Sequence, residues 1–238
     1  NAVAHPDRLA IVDAPNRQQL AFDEPRRMTY SALLEEVHAL AIKLQENGVG
    51  KKDIIIAQMP NISEFVSLYF ACSAIGAIIS PIPVQYRAHE LTIIANKLKP
   101  KAFVCCTVMK GGSSLDFAST ILDPDCRLMT FGPGAPDGAV DLSDNTLGDE
   151  MPLTEFQAAN PVDADDIFSI CWTSGTTGAP KGVPRSHNHW AAIAPATYDA
   201  ANLQDGDILL NPFPMINMAS IGGIMMSWLH VAGTMILH

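Results

Sequence analysis

The chain has 238 residues, 48% apolar and 17% charged, with a formal net charge of −10. Such a composition supplies a sizeable core and excludes a disordered chain, the length suits one large domain or two small ones, and the acidic balance argues against nucleic acid or an anionic membrane as partner. The five cysteines (Cys72, Cys105, Cys106, Cys126 and Cys171) are odd in number and never spaced Cys-x-x-Cys, which points to buried, reduced thiols and a cytoplasmic location.

Residues 8–13 read as a short strand and residues 17–27 as a polar hairpin or loop. Leu33, Leu34, Val37, Leu40, Ala41 and Leu44 then recur at helical spacing. Thr29 or Ser31 is placed to cap that helix and Asn47-Gly48 to stop it. Residues 53–59 are nearly continuous in apolar character, as buried parallel strands are. Asn61 or Ser63 is expected to cap a helix over about residues 64–75, and Gly76-Ala77 turns into a strand at 78–82. A helix starting at His89-Glu90 carries Leu91, Ile94, Ala95 and Leu98 and breaks at Lys99-Pro100. Residues 101–106 and 127–130 are further strands, with a loop and part of a helix between them. Residues 131–165, rich in Gly, Pro and acidic side chains, form a long excursion. The alternation of strand and helix predicts a parallel sheet with right-handed crossovers.

Two uncharged runs, residues 65–86 and 211–229, are as long as a membrane span. Pro81, Pro83, Pro212 and Pro214 interrupt them, so both are read as buried helix-plus-strand segments and no integral membrane segment is expected. The opening residues 1–6 show neither the basic start nor the apolar run of a secretory leader.

Residues 167–172 form an apolar strand, and Thr173-Ser174-Gly175-Thr176-Thr177-Gly178-Ala179-Pro180-Lys181-Gly182 follows it directly. Four hydroxyls, three glycines and a lysine in ten positions make a poor strand or helix. They offer short donors, close backbone approach and a mobile positive charge, a combination suited to nucleotide phosphates. The glycine spacing is not that of a Walker loop, and a plain Gly/Thr surface loop is the competing reading. Beyond it, Ser186 is placed to cap a helix to about residue 201 that Pro195 interrupts. A turn at 205–207, a strand at 208–214, a ligand-facing segment at 215–220, an apolar helix at 221–231 and a strand at 234–238 complete the chain. His187 and His189 would point to different sides of a helix, so no metal pair is expected. Cys171 has no implied His or acid partner and is not expected to be a nucleophile. Met215, Met218, Met225 and Met226 suit core filling or a pocket wall.

Residues 172–182 resemble the phosphate-loop signature of the AMP-forming adenylating enzymes: acyl-CoA synthetases, aryl-acid ligases, firefly luciferase and peptide-synthetase adenylation domains. Residues 28–33 and 74–83 resemble two earlier elements of that family, with Ala32 where Glu is usual. The resemblance implies an α/β fold, a mostly parallel sheet flanked by helices, akin to part of the large domain of an acyl-CoA synthetase. Residues 50–185 would form a parallel subdomain ending in the phosphate loop. Residues 1–49 and 186–238 would contribute parts of a second α/β layer.

The implied function is the N-terminal part of an ATP-dependent acid–CoA ligase acting on a fatty or other aliphatic acid. ATP and Mg2+ would be the cofactors, and CoA the co-substrate. Thr173, Ser174, Gly175, Thr176, Thr177, Gly178 and Lys181 would hold the ATP phosphates. Asn217 stands where many acyl- and aryl-CoA ligases carry a His, in the segment Pro214-Met215-Ile216-Asn217, so it and Met218 are candidates for the acid pocket; a loop-capping amide is the plainer role for Asn217. The catalytic lysine of the family is expected beyond His238, and the isolated chain is expected to be inactive and able to dimerise through an apolar face. Two other readings remain open: an aryl- or amino-acid adenylating enzyme that loads a carrier protein, and a non-catalytic nucleotide-binding or interaction module.

Overall fold

A computed structural model describes residues 1–143, 151–173 and 180–238. The chain begins with strand β1 (Leu9–Val12), a single helical turn α1 (Arg17–Leu20), strand β2 (Arg27–Thr29) and helix α2 (Tyr30–Glu46). Thr29 caps α2, its hydroxyl accepting from the Ala32 amide at 3.2 Å. A run of alternating elements follows: β3 (Ile54–Gln58), α3 (Ser63–Ile75), β4 (Ile78–Pro81), α4 (Ala88–Leu98), β5 (Ala102–Cys106), α5 (Leu115–Ile121) and β6 (Arg127–Phe131). Next come β7 (Val140–Asp141), α6 (Met151–Ala159), β8 (Ile167–Thr173), β9 (Lys181–Ser186), α7 (His187–Ala191) and α8 (Ala194–Ala200). Strand β10 (Ile208–Asn211), a π-helical segment (Ala219–Met225), α9 (Met226–His230) and β11 (Thr234–Leu237) close the described fold.

These strands make two sheets. The larger has seven strands in the order β7-β6-β5-β3-β4-β8-β9, parallel except for β9, which runs antiparallel to β8. Of its central strands β5 is buried throughout and β3 and β4 all but their first residue, as their near-continuous apolar character requires. The smaller sheet, β10-β11-β1-β2, draws its strands from the two ends of the chain. There β11 lies parallel to both β1 and β10, and β2 is antiparallel to β1.

The expected parallel α/β architecture is present, and the local expectations that differ do so for identifiable reasons. Residues 131–165 contain β7 and α6, both too short or too mixed in composition to show a clear period. Residues 181–186 form a strand despite Gly182 and Pro184. As the sheet's edge, β9 has one side without a partner strand, where a proline costs no ladder bond. Pro195 does break the helix it was expected to break, into α7 and α8. The apolar stretch after residue 218 is split between a π-helical segment and α9.

Neither Asn61 nor Ser63 caps α3. The amide of Ser63 donates to Asp13 Oδ1 at 2.8 Å, so the cap arrives from β1's trailing end, fifty positions away in sequence. The polar loop at 17–27 is likewise not a surface loop throughout. Arg17 is 1% exposed. Its guanidinium pairs with Asp13 and, at 2.6 Å, with Glu64 Oε1. Arg26 pairs with the same Glu64 oxygen at 2.9 Å and with Glu36, whose Oε1 also accepts from Ser67 at 2.6 Å. Burial by itself would push the Glu64 carboxyl upward, but Arg17 and Arg26 together hold it below its ordinary value. The cluster fastens the β1–β2 connection of the small sheet to α2 and α3 of the large one.

Candidate functional site

In the large sheet, β3 connects onward to one side and β5 to the other, which makes the crevice between their carboxyl ends the topological switch point where open α/β sheets usually bind ligands. Here α1 and the residues after it reach the loops that follow β5 and β6. The carbonyl of Leu20 in α1 accepts from the Lys110 amide at 2.8 Å, and Phe22 presses on Gly132 so closely that a Cβ there would lie 2.9 Å from its ring. The hydroxyl-rich segment leaves the same sheet farther along, at the end of β8.

The register of β8 and β9 sets Thr173 directly opposite Lys181 and Trp172 opposite Gly182. Thr173 and Lys181 are both exposed. The structure thus brings the first and last of the expected phosphate ligands together at the open end of a hairpin. Ser174, Gly175, Thr176, Thr177 and Gly178 lie outside the described residues.

The base of this hairpin is held by its neighbours. Trp172 donates through Nε1 to Ser80 Oγ at 2.9 Å, and Ser80 in turn donates to the Ile170 carbonyl at 3.2 Å. Gly182 is a packing glycine: a Cβ there would stand 2.9 Å from Ile170 Cγ2 and 3.3 Å from the Trp172 ring. Lys97, in the last turn of α4, donates to the Pro180 carbonyl at 3.0 Å, and its ammonium lies 6.0 Å from the centre of the Trp172 ring. Composition near the loop gives no hint of Lys97, since it is more than seventy positions upstream.

Asn217 and Met218 follow β10 in the other sheet, and among the described residues no hydrogen bond or ion pair joins them to Thr173 or Lys181. Asn217 Oδ1 accepts from the Ser220 amide at 3.0 Å and its carbonyl accepts from the Ile221 amide at 3.0 Å, so this amide starts the π-helical segment. Met218 is 48% exposed, whereas Met215 and Met225 are fully buried core residues. Two residues of the β3–α3 unit, Asn61 and Tyr69, set the course of this segment. Asn61 Nδ2 donates to the Phe213 and His238 carbonyls at 2.8 and 3.1 Å, and its Oδ1 accepts from the Met215 amide at 3.0 Å. The buried Tyr69 hydroxyl donates to the Met215 carbonyl at 2.6 Å. Asn61 is thus a junction between the sheets, a role its sequence neighbours do not show.

A model of the family described as AMP-binding enzyme matches residues 1–238. The chain belongs to the AMP-binding enzyme family. This AMP-binding chain is similar to the medium-chain fatty-acid–CoA ligase of Escherichia coli, 30% identical over 217 residues that cover 90% of the chain and 36% of the ligase. It is also similar to the acetyl-coenzyme A synthetase of Penicillium chrysogenum, 29% identical over 201 residues covering 77% of the chain and 28% of the synthetase. Among solved structures, ATP-bound MatB from Rhodopseudomonas palustris shares the fold with a TM-score of 0.73 at 25% identity, over 96% of the chain and 42% of that protein. The chain thus spans roughly a third of the length of the curated relatives it matches.

Cys171, His187 and His189 have structural partners among the described residues. Burial pushes the Cys171 thiol up to about 11, with Ser169 Oγ 3.9 Å away and the Arg185 charge opposing the shift. His187 packs against Phe168, ring centres 5.0 Å apart, and burial lowers its pKa against the pull of Asp166. His189 Nδ1 instead accepts from the Ser186 amide at 3.2 Å, in a capping box at the start of α7. Among the described residues no three His, Cys, Asp or Glu side chains converge to hold a metal ion. Nor is any described helix long and apolar enough to cross a membrane.

Proposed function

We propose that this chain is the phosphate-handling N-terminal part of an AMP-forming acid–CoA ligase. In the proposed reaction a carboxylate oxygen attacks the α-phosphorus of ATP and pyrophosphate leaves. The thiol of CoA then attacks the acyl carbon, and AMP departs with its bonding pair. The observation that carries the reading is the β8–β9 hairpin of an AMP-binding family chain, with Thr173 and Lys181 facing each other, exposed, at its open end. Thr173, Ser174, Gly175, Thr176, Thr177 and Gly178 would donate to the β- and γ-phosphates, and Lys181 would add a charge-assisted contact. Chemistry of this kind rests on positioning and charge stabilisation and needs no side-chain nucleophile, in keeping with a Cys171 held neutral.

The described residues offer no carboxylate cage for Mg2+. A short hydroxyl loop suits an ion carried chiefly by phosphates and water, where it would neutralise phosphate charge. Asn217 can hydrogen-bond to an acid but cannot carry the positive charge of a histidine. An aliphatic acid is the substrate class we favour, because the apolar Met218 is exposed beside Asn217 and a relative is a fatty-acid–CoA ligase. The five free cysteines support a reducing, cytoplasmic setting. The makeup of the two sheets supports a division near residues 49/50 and 185/186. Ile208 and Leu210, 69% and 54% exposed on the edge strand β10, support self-association of the isolated chain.

The test is ATP and pyrophosphate binding to the full-length protein and to its Lys181→Ala and Thr177→Ala variants. Losing a hydrogen bond to a charged group is worth about 1.5–3 kcal/mol, so Lys181→Ala is expected to weaken binding by about tenfold or more. Unchanged affinity in both variants overturns the assignment. A panel of aliphatic, aryl and amino acids in ATP–pyrophosphate exchange separates CoA ligase from carrier-loading enzyme, and exchange with none of them favours a non-catalytic module.

A further inference from the structure

We propose that Lys97 is a positioning residue for Lys181, at the foot of β9. The inference rests on the phosphate role proposed for Lys181. Lys181 opens β9 immediately after Pro180, and the only tie that an α4 side chain makes to this foot among the described residues is the 3.0 Å hydrogen bond from Lys97 Nζ to the Pro180 carbonyl. The same ammonium lies over the Trp172 ring. That ring is pinned from its other edge by Ser80 and packs against Gly182, the residue after Lys181.

Lys97 therefore braces both sides of Lys181: the residue before it through a carbonyl, and the residue after it through the indole. A lysine contacts phosphate as a point charge on a flexible stem, so its backbone anchor decides how much of its reach is spent on finding the ligand. Misplacement by about 1 Å is enough to cost large factors in a positioned reaction. As an edge strand, β9 has β8 as its one strand partner in the sheet.

The experiment is a double-mutant cycle in the full-length protein with Lys97→Met and Lys181→Ala, read by ATP binding and by the separate KM values for ATP and acid. Lys97→Met keeps the aliphatic stem on Trp172 and removes the donor. It is expected to weaken ATP binding by about three- to tenfold, the size of one net hydrogen bond, and to leave the acid KM unchanged. In the Lys181→Ala background the same substitution is expected to add almost nothing, because its effect passes through Lys181. Lys97→Arg, which keeps a charged donor, is expected to restore most of the ATP affinity; it also carries the test if the methionine variant does not fold, when an ATP KM as poor as that of Lys181→Ala would count against the proposal. If Lys181→Ala weakens ATP binding while Lys97→Met is neutral, or if the two losses add, the positioning role is wrong and the phosphate reading stands. If Lys181→Ala has no effect, both fail.

Discussion

Gly182 shows how one residue can carry two explanations. In sequence it belongs to a glycine-rich loop suited to close approach of a phosphate. In the structure its lack of a side chain is what lets Trp172 and Ile170 cross the β8–β9 pair, with 2.9 Å left for any Cβ. Gly182→Ala is therefore expected to destabilise the protein by about 1–3 kcal/mol, the usual cost of overpacking, seen as a lower Tm before any ligand is added. An unchanged Tm would show that the hairpin shifts freely and that packing is not the reason for this glycine. Asn217 gives the complementary case. The plainer expectation, a loop-capping amide, is met by its bond to the Ser220 amide. Its part in binding the acid remains the proposal made above.

At the level of elements, the periodicities that mark β3, α3, β4, α4 and β5 were legible because each buries a long apolar face, and burial forces the pattern on the residues. Elements stabilised from elsewhere were not legible. The N-terminus of α3 takes its cap from Asp13, so no capping residue is needed in the local sequence. Strand β9 takes its pairing from β8, so Gly182 and Pro184 are tolerated. Asn61 belongs to this class: three hydrogen bonds from one side chain join the end of β3 to the ends of β10 and β11. Asn61→Ala should lower the denaturant midpoint by an amount equal to about 0.5–1.5 kcal/mol, the net worth of a typical hydrogen bond, because the groups it releases are exposed or part-buried and can turn to water. Because those bonds shape the Met215–Asn217 turn, the acid KM should rise more than the ATP KM. Equal changes in both would place Asn61 in general stability alone.

At the scale of the whole molecule, two sheets are joined by an apolar core and by the buried Arg17, Arg26, Asp13, Glu36 and Glu64 cluster. Removing one member of such a cluster leaves uncompensated charge, so Arg17→Met should cost about 3–5 kcal/mol. The pH dependence follows from Glu64. Its folded pKa lies below the ordinary 4.5, so its contribution is fully present above that value and is lost as pH falls through the folded value. Glu64→Gln should be less stable at neutral pH and should lose stability less steeply below about pH 4.5, where the wild-type group takes up its proton. Parallel acid-unfolding curves for the two proteins would contradict this. The amino-acid order alone settled the fold class and the central strands and helices, because those properties arise from side-chain type and short-range period; the phosphate role of residues 173–182 stays a proposal drawn from their composition. Only the tertiary structure decided that Arg17 is buried, that α1 meets the loop after β5, that Asp13 caps α3 and that Lys97 reaches Pro180. Each of these joins residues from 46 to 90 positions apart, and local pattern carries no record of which distant partner a polar group will meet.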